Sequence, residues 1–145
     1  MTPTELALRQ QLEALAVDYW HEVDLQDGSG APAYYTEDAV FGTSVREYRG
    51  RPAIEAFYRG RLGRSPRLSL HLMQNFRIQP ETADRVHCQY LLTLYAGDGV
   101  PVLPSRPPVM ISSVEETVLR QPDGRWLYQL RRVHPLFSDG STTRG

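Results

Sequence analysis

The stretch Leu70-His71-Leu72-Met73-Gln74-Asn75 carries the strongest chemical signal in this chain. Counted by two, Leu68, Leu70 and Leu72 fall on one face of a strand, and Ser69, His71, Met73 and Asn75 fall on the other. A strand wet on its polar side would not spend a methionine there. The next strand candidate is apolar at both parities, with Tyr90, Leu92 and Leu94 against Leu91 and Tyr95. Both faces of the sheet therefore read as covered, and a histidine on a covered face needs a partner. Asp24 is the acid available. An aspartate bonded to one ring nitrogen fixes the tautomer and raises the basicity of the other, which can then abstract a proton.

Each member of this pair also has a plainer reading. His71 fits a core histidine bonded to Asn75 or to backbone. Asp24 fits a helix-end residue: it lies about 140° round an ideal helix from Tyr19, but only about 40° from Trp20. A metal site is not expected. His71 and Asp24 supply two ligands where zinc wants at least three, and no His-x-His or His-x-x-x-His spacing occurs. The single cysteine, Cys88, excludes an internal disulfide or a cysteine cluster and reads as a small core residue. His21, His87 and His134 look incidental.

The elements that must position the pair can be traced from the N-terminus. Thr4 can cap a helix running to about Leu25, with Leu8, Leu12, Leu15, Tyr19 and Val23 stepping by three and four. Residues Gln26 to Pro32 end it, and Pro32 to Thr36 suggests a short second helix. Ala39 to Phe41 reads as a short strand, with Val45 to Tyr48 as its hairpin partner. Gly50-Arg51-Pro52 opens a third helix, from Pro52 to about Leu62. Four long strand candidates follow: Arg67–Gln79, Arg85–Ala96, Val109–Arg120 and Arg125–Phe137, separated by turn-rich breaks. Helices first and consecutive long strands second predict an α+β domain. Its sheet is curved and antiparallel, with three N-terminal helices over the concave face and a hollow between them. One domain, residues 1–137, and a flexible polar tail, 138–145, account for the chain.

Bulk properties exclude several function classes. The 145 residues carry 41% hydrophobic and 23% charged residues, ordinary values for a globular chain. A net charge of −1, from 16 basic and 17 acidic residues, leaves no electrostatic footprint for nucleic acid. No apolar run approaches the ~20 residues that a membrane span needs. The N-terminus lacks a basic start followed by an apolar core, so the expected location is the cytoplasm.

Two segments carry a family resemblance: Tyr34-Tyr35-Thr36-Glu37-Asp38-Ala39-Val40-Phe41 and Tyr48-Arg49-Gly50-Arg51-Pro52-Ala53-Ile54-Glu55-Ala56-Phe57. Together they resemble the SnoaL-like, polyketide-cyclase-like branch of the nuclear transport factor two-like superfamily. His71-Leu72-Met73-Gln74-Asn75 is similar to that branch's His-x-x-x-Asn strand, and Asp123-Gly124-Arg125-Trp126 with Arg131-Arg132-Val133 to its closing strand. The resemblance spans about residues 8 to 137. It implies a cone-shaped fold and a homodimer through the outer sheet face. It does not imply one activity, since the superfamily includes cyclases, dehydratases, isomerases, dioxygenase small subunits and binding proteins.

Dehydratases of this family use a tyrosine and an aspartate late in the first helix and a histidine on the first long strand. Tyr19, Asp24 and His71 match those positions. The chain departs from them on the second long strand, Cys88-Gln89-Tyr90-Leu91-Leu92-Thr93-Leu94-Tyr95, where such enzymes often carry another histidine or acid. The resemblance implies a cofactor-free lyase, isomerase or cyclase acting on a small hydrophobic carbonyl compound. Trp20, Phe57, Tyr58, Met73, Asn75 and Tyr90 are the candidates for lining its cavity. Arg131 and Arg132 alternate in parity, so one faces inward and needs an acid or an anionic ligand; Arg132 is the candidate for substrate contact. Two alternatives stay open: a non-catalytic ligand-binding domain, and an accessory subunit like the small subunits of ring-hydroxylating dioxygenases.

Overall fold

A computed structural model describes residues 1–141. The first helix, α1, spans Pro3–Leu25. It begins earlier than the Thr4 reading because Pro3 occupies its first turn and Thr2 caps it. The Thr2 side chain accepts from the Glu5 N–H at 3.1 Å, while the Glu5 carboxylate accepts from the Thr2 N–H at 2.8 Å. This reciprocal box satisfies two orphan helix donors. Asp27 (φ 55°) and Gly28 (φ 76°) then reverse the chain. At Gly28 a Cβ would collide with the Tyr58 ring, so glycine is required both for its φ and for close approach.

A single 3-10 turn, Ala31–Tyr34, stands in place of the expected second helix. It leads into β1 (Tyr35–Gly42), β2 (Glu47–Arg49) and α2 (Arg51–Arg59). The long strands are β3 (Arg67–Pro80), β4 (Arg85–Asp98), β5 (Met110–Arg120) and β6 (Trp126–Ser138). They join β1 and β2 in one curved six-stranded sheet of order β2-β1-β6-β5-β4-β3. The four long strands pair antiparallel in sequence order. The β1–β6 pair is parallel, which brings the hairpin beside the closing strand.

Inward parity on β4 runs Val86, Cys88, Tyr90, Leu92, Leu94, and its register puts His71 opposite Leu94 and Met73 opposite Leu92. Ser69, His71 and Met73 therefore point inward, and Leu70 and Leu72 outward with 41% and 47% of their surface exposed. A bulge between Gln74 and Arg77 then flips the pattern. Asn75, at φ 58°, turns out to solvent, and Phe76 and Ile78 take over the inward side. The expectation that Asn75 shares the face of His71 fails for this reason: alternation holds only while pairing is one to one. Ser138, expected in the tail, closes β6, and Asp139–Ser141 are tied by backbone donation to Val109, Ser138 and Asp139. Residues 142–145 lie outside the described residues.

Candidate active site

Asp24 sits in the last turn of α1, where the negative end of the helix dipole disfavours a carboxylate by about 0.3–1 kcal/mol. No basic side chain offsets it within that turn. The compensation comes from β3. Asp24 Oδ2 accepts from the His71 backbone N–H at 2.8 Å, and Oδ1 accepts from the Ser69 hydroxyl at 3.2 Å and meets His71 Nδ1 at 2.6 Å. Both side chains are almost entirely buried, 3% exposed for His71 and 8% for Asp24. With the aspartate ionised, Nδ1 must be the donor, and in the neutral ring Nε2 then carries the lone pair.

The imidazole is held on a second side by Trp20, stacked at 4.3 Å between centroids with the planes 18° apart. Trp20 is itself fixed. Its Nε1–H donates to the Tyr90 hydroxyl at 2.8 Å, and Tyr90 donates to Glu116 at 2.8 Å. The ring therefore has one tautomer and one orientation, the two properties a general base needs before its pKa matters.

His71 and Trp20 form part of the wall of a cavity of about 1030 Å³. Its floor is the concave sheet, with Leu92 and Leu94 from β4, Ser112 from β5 and Val133 from β6; Phe41 from β1 and Ala53, Ala56 and Phe57 from α2 close the sides. At the rim stand the β1–β2 turn, Thr43 to Arg46, and Arg64 from the segment after α2. The lining is mostly apolar with a few polar groups, as small-molecule sites are. Among the described residues, no cluster of three or more His, Cys, Asp or Glu side chains is placed to hold a metal ion.

A family model described as a SnoaL-like domain matches residues 4–132. This chain belongs to the SnoaL-like family. Its fold is shared with ActVI-ORFA of Streptomyces coelicolor at 16% identity and a TM-score of 0.78, covering 90% of this chain and 98% of the other. It is also shared with a putative scytalone dehydratase of Novosphingobium aromaticivorans, at 20% identity and a TM-score of 0.79 over 100% and 95% of the two chains. A protein of Catenulispora acidiphila matches at 21% identity and a TM-score of 0.77, over 91% and 94%. At such identities the likeness is one of fold. No curated protein matches.

Several candidates read from the sequence lie elsewhere in this SnoaL-like protein. Tyr19 is fully buried outside the cavity lining, its hydroxyl shared with those of Tyr35, at 2.7 Å, and Tyr58. Tyr58 and Tyr90 are likewise buried and outside the lining. Met73 packs against the core, and Asn75 faces solvent. Arg132 points to the outer face, where it lies 3.6 Å from Glu47. The inward arginine is Arg131, and what answers its charge is an acid of the protein itself. Glu116, its cross-strand partner, accepts from Nε at 2.7 Å, with Nη2 close to the same oxygen at 2.6 Å. Arg131 also donates to the Tyr35 hydroxyl at 2.6 Å and lies over the Tyr19 ring at 3.6 Å.

Burial pushes the phenols of Tyr19, Tyr35, Tyr58, Tyr90 and Tyr128 above the usual tyrosine range. Burial likewise raises the Cys88 thiol, which removes it as a nucleophile. Sequence reasoning missed the phenol that does line the cavity, Tyr48, together with Ser112, Arg46 and Arg64. The β1 register pairs Tyr48 with Phe41, so the hairpin carried the signal. The two arginines lie in connections where no periodicity exists to read.

Proposed function

We propose that this protein is a cofactor-free acid–base enzyme of lyase, isomerase or cyclase type, acting on a small hydrophobic carbonyl compound. The observation that carries the reading is the buried His71–Asp24 contact of 2.6 Å at the wall of a largely apolar cavity. His71 Nε2 takes a proton from carbon next to the substrate carbonyl, and Asp24 stabilises the imidazolium that forms. Stacked Trp20 favours the same cation. In this reading Tyr48, the tyrosine of the lining, receives the negative charge developing on the carbonyl oxygen. Tyr19, which the family resemblance suggested for this part, is fully buried and outside the cavity lining. The reading includes a cytoplasmic setting and a two-fold dimer through the outer sheet face.

The test does not require the natural substrate. Bicyclic hydroxyketones in deuterated buffer, followed by proton magnetic resonance, should exchange their α-protons faster with the wild-type protein. His71→Gln should abolish the acceleration while circular dichroism stays unchanged. Saturable binding of the ketones with no exchange by the wild type would replace this reading with that of a ligand-binding domain.

A further inference from the structure

We propose that the ligand of this cavity carries a carboxylate, bound at the rim by Arg46 and Arg64. The inference deepens the acid–base reading by naming the substrate class: a hydrophobic keto or hydroxy acid whose acid group lies away from the reacting carbon. Its basis is the charge of the wall. Two guanidiniums from separate connections line the cavity, and among the described residues no aspartate or glutamate does. Asp24 stands behind His71, already engaged by three donors.

Elsewhere the protein answers most of its arginines with acids, as in Arg85–Glu81, Arg120–Asp84 and the buried Arg131–Glu116. Among the described residues, neither Arg46 nor Arg64 has an ion pair or a side-chain hydrogen bond. Cations facing an apolar, partly enclosed space raise the local concentration of anions, because low-dielectric walls focus the field. Deeper in, Ser112 is 2% exposed and lines the floor, and its hydroxyl makes no hydrogen bond among the described residues. That hydroxyl suits the neutral polar group of the same ligand.

A carboxylate fits better than a phosphate. A guanidinium matches the planar, singly charged group with two parallel N–H bonds. Phosphate sites characteristically use backbone N–H groups at a helix start. Here α2 contributes Ala53, Ala56 and Phe57 to the cavity from its side, while its first residues stay outside the lining.

Naphthylacetic acid, its neutral amide and naphthyl phosphate form the test set, titrated calorimetrically at low and high salt. The acid should bind about 10-fold or more tightly than the amide at low salt. In the Arg46→Gln/Arg64→Gln double variant the acid should bind no more tightly than the amide; added salt should shrink the wild-type preference. Equal binding of acid and amide would overturn the proposal. So would a preference that survives in the double variant, or failure of the wild type to bind either compound. An arginine-dependent preference for the phosphate over the acid would overturn the carboxylate assignment. Proton exchange on neutral ketones is independent of all these outcomes, so failure of the subsite and failure of the acid–base reading are distinguishable.

Discussion

At the scale of single residues, Asp24 is the informative case because its position is unfavourable for a helix. A carboxylate in the last turn of α1 opposes the helix dipole, and three donors from β3 reverse that penalty. Asp24→Asn keeps the shape but can present its amide N–H to Nδ1, favouring the wrong tautomer and removing the charge that stabilises imidazolium. Exchange activity should fall by about 10²–10⁴ with little change in ligand affinity. An equal loss of affinity and rate would instead assign Asp24 a packing role. The pair was legible in the sequence because a histidine at covered parity needs an acid, and Asp24 lies close to Trp20 on the helical wheel. The neighbouring tyrosine was not legible. Helical spacing gives the direction of Tyr19 without its depth, and Tyr35 and Tyr58, distant in sequence, are what enclose its hydroxyl.

At the scale of elements, β3 shows where pattern reading stops. Alternation placed Ser69, His71 and Met73 correctly, because pairing with β4 is regular up to Gln74. One extra residue then reverses every later side chain, and nothing in the letters Gln-Asn-Phe announces it except an asparagine, which tolerates positive φ. The bulge keeps Phe76 in the core beside Tyr90, with ring centroids 5.7 Å apart, although Phe76 is out of phase with His71. Asn75→Gly should therefore be neutral within about 0.5 kcal/mol, whereas Asn75→Val should destabilise by about 1–2 kcal/mol in urea melts, since a β-branched residue resists that φ. Equal stability of the two variants would show that the backbone relaxes out of the bulge at no penalty.

At the scale of the whole molecule, two surfaces of the sheet lead to different expectations. The outer face exposes Leu70, Leu72 and Phe137, and an apolar strip of this kind on a rigid sheet favours association of two copies. Sedimentation at micromolar concentration should show a dimer that Leu70→Glu/Leu72→Glu dissociates; a monomeric wild type would remove the dimer from the proposal. The inner face is stabilised by tyrosines kept neutral through burial, and this sets a limit on alkaline tolerance. In the folded chain Tyr19, Tyr35, Tyr58, Tyr90 and Tyr128 all titrate above the ordinary phenol value of 10.0. Below about pH 10 both the folded and the unfolded chain hold these protons, and stability is insensitive to them. Above it the unfolded chain releases protons that the folded one retains, so stability falls as pH rises towards the folded values. Each buried tyrosine contributes about 1.4 kcal/mol of loss per pH unit in that window. Five acting together reach about 7 kcal/mol per unit, comparable to the whole stability of a domain. Unfolding should therefore be cooperative and nearly complete within about two units above that point. Tyrosinate absorbance from these five groups should rise together with the loss of circular dichroism. Ionisation of all eight tyrosines with the fold intact would show that the inner layer is open to water.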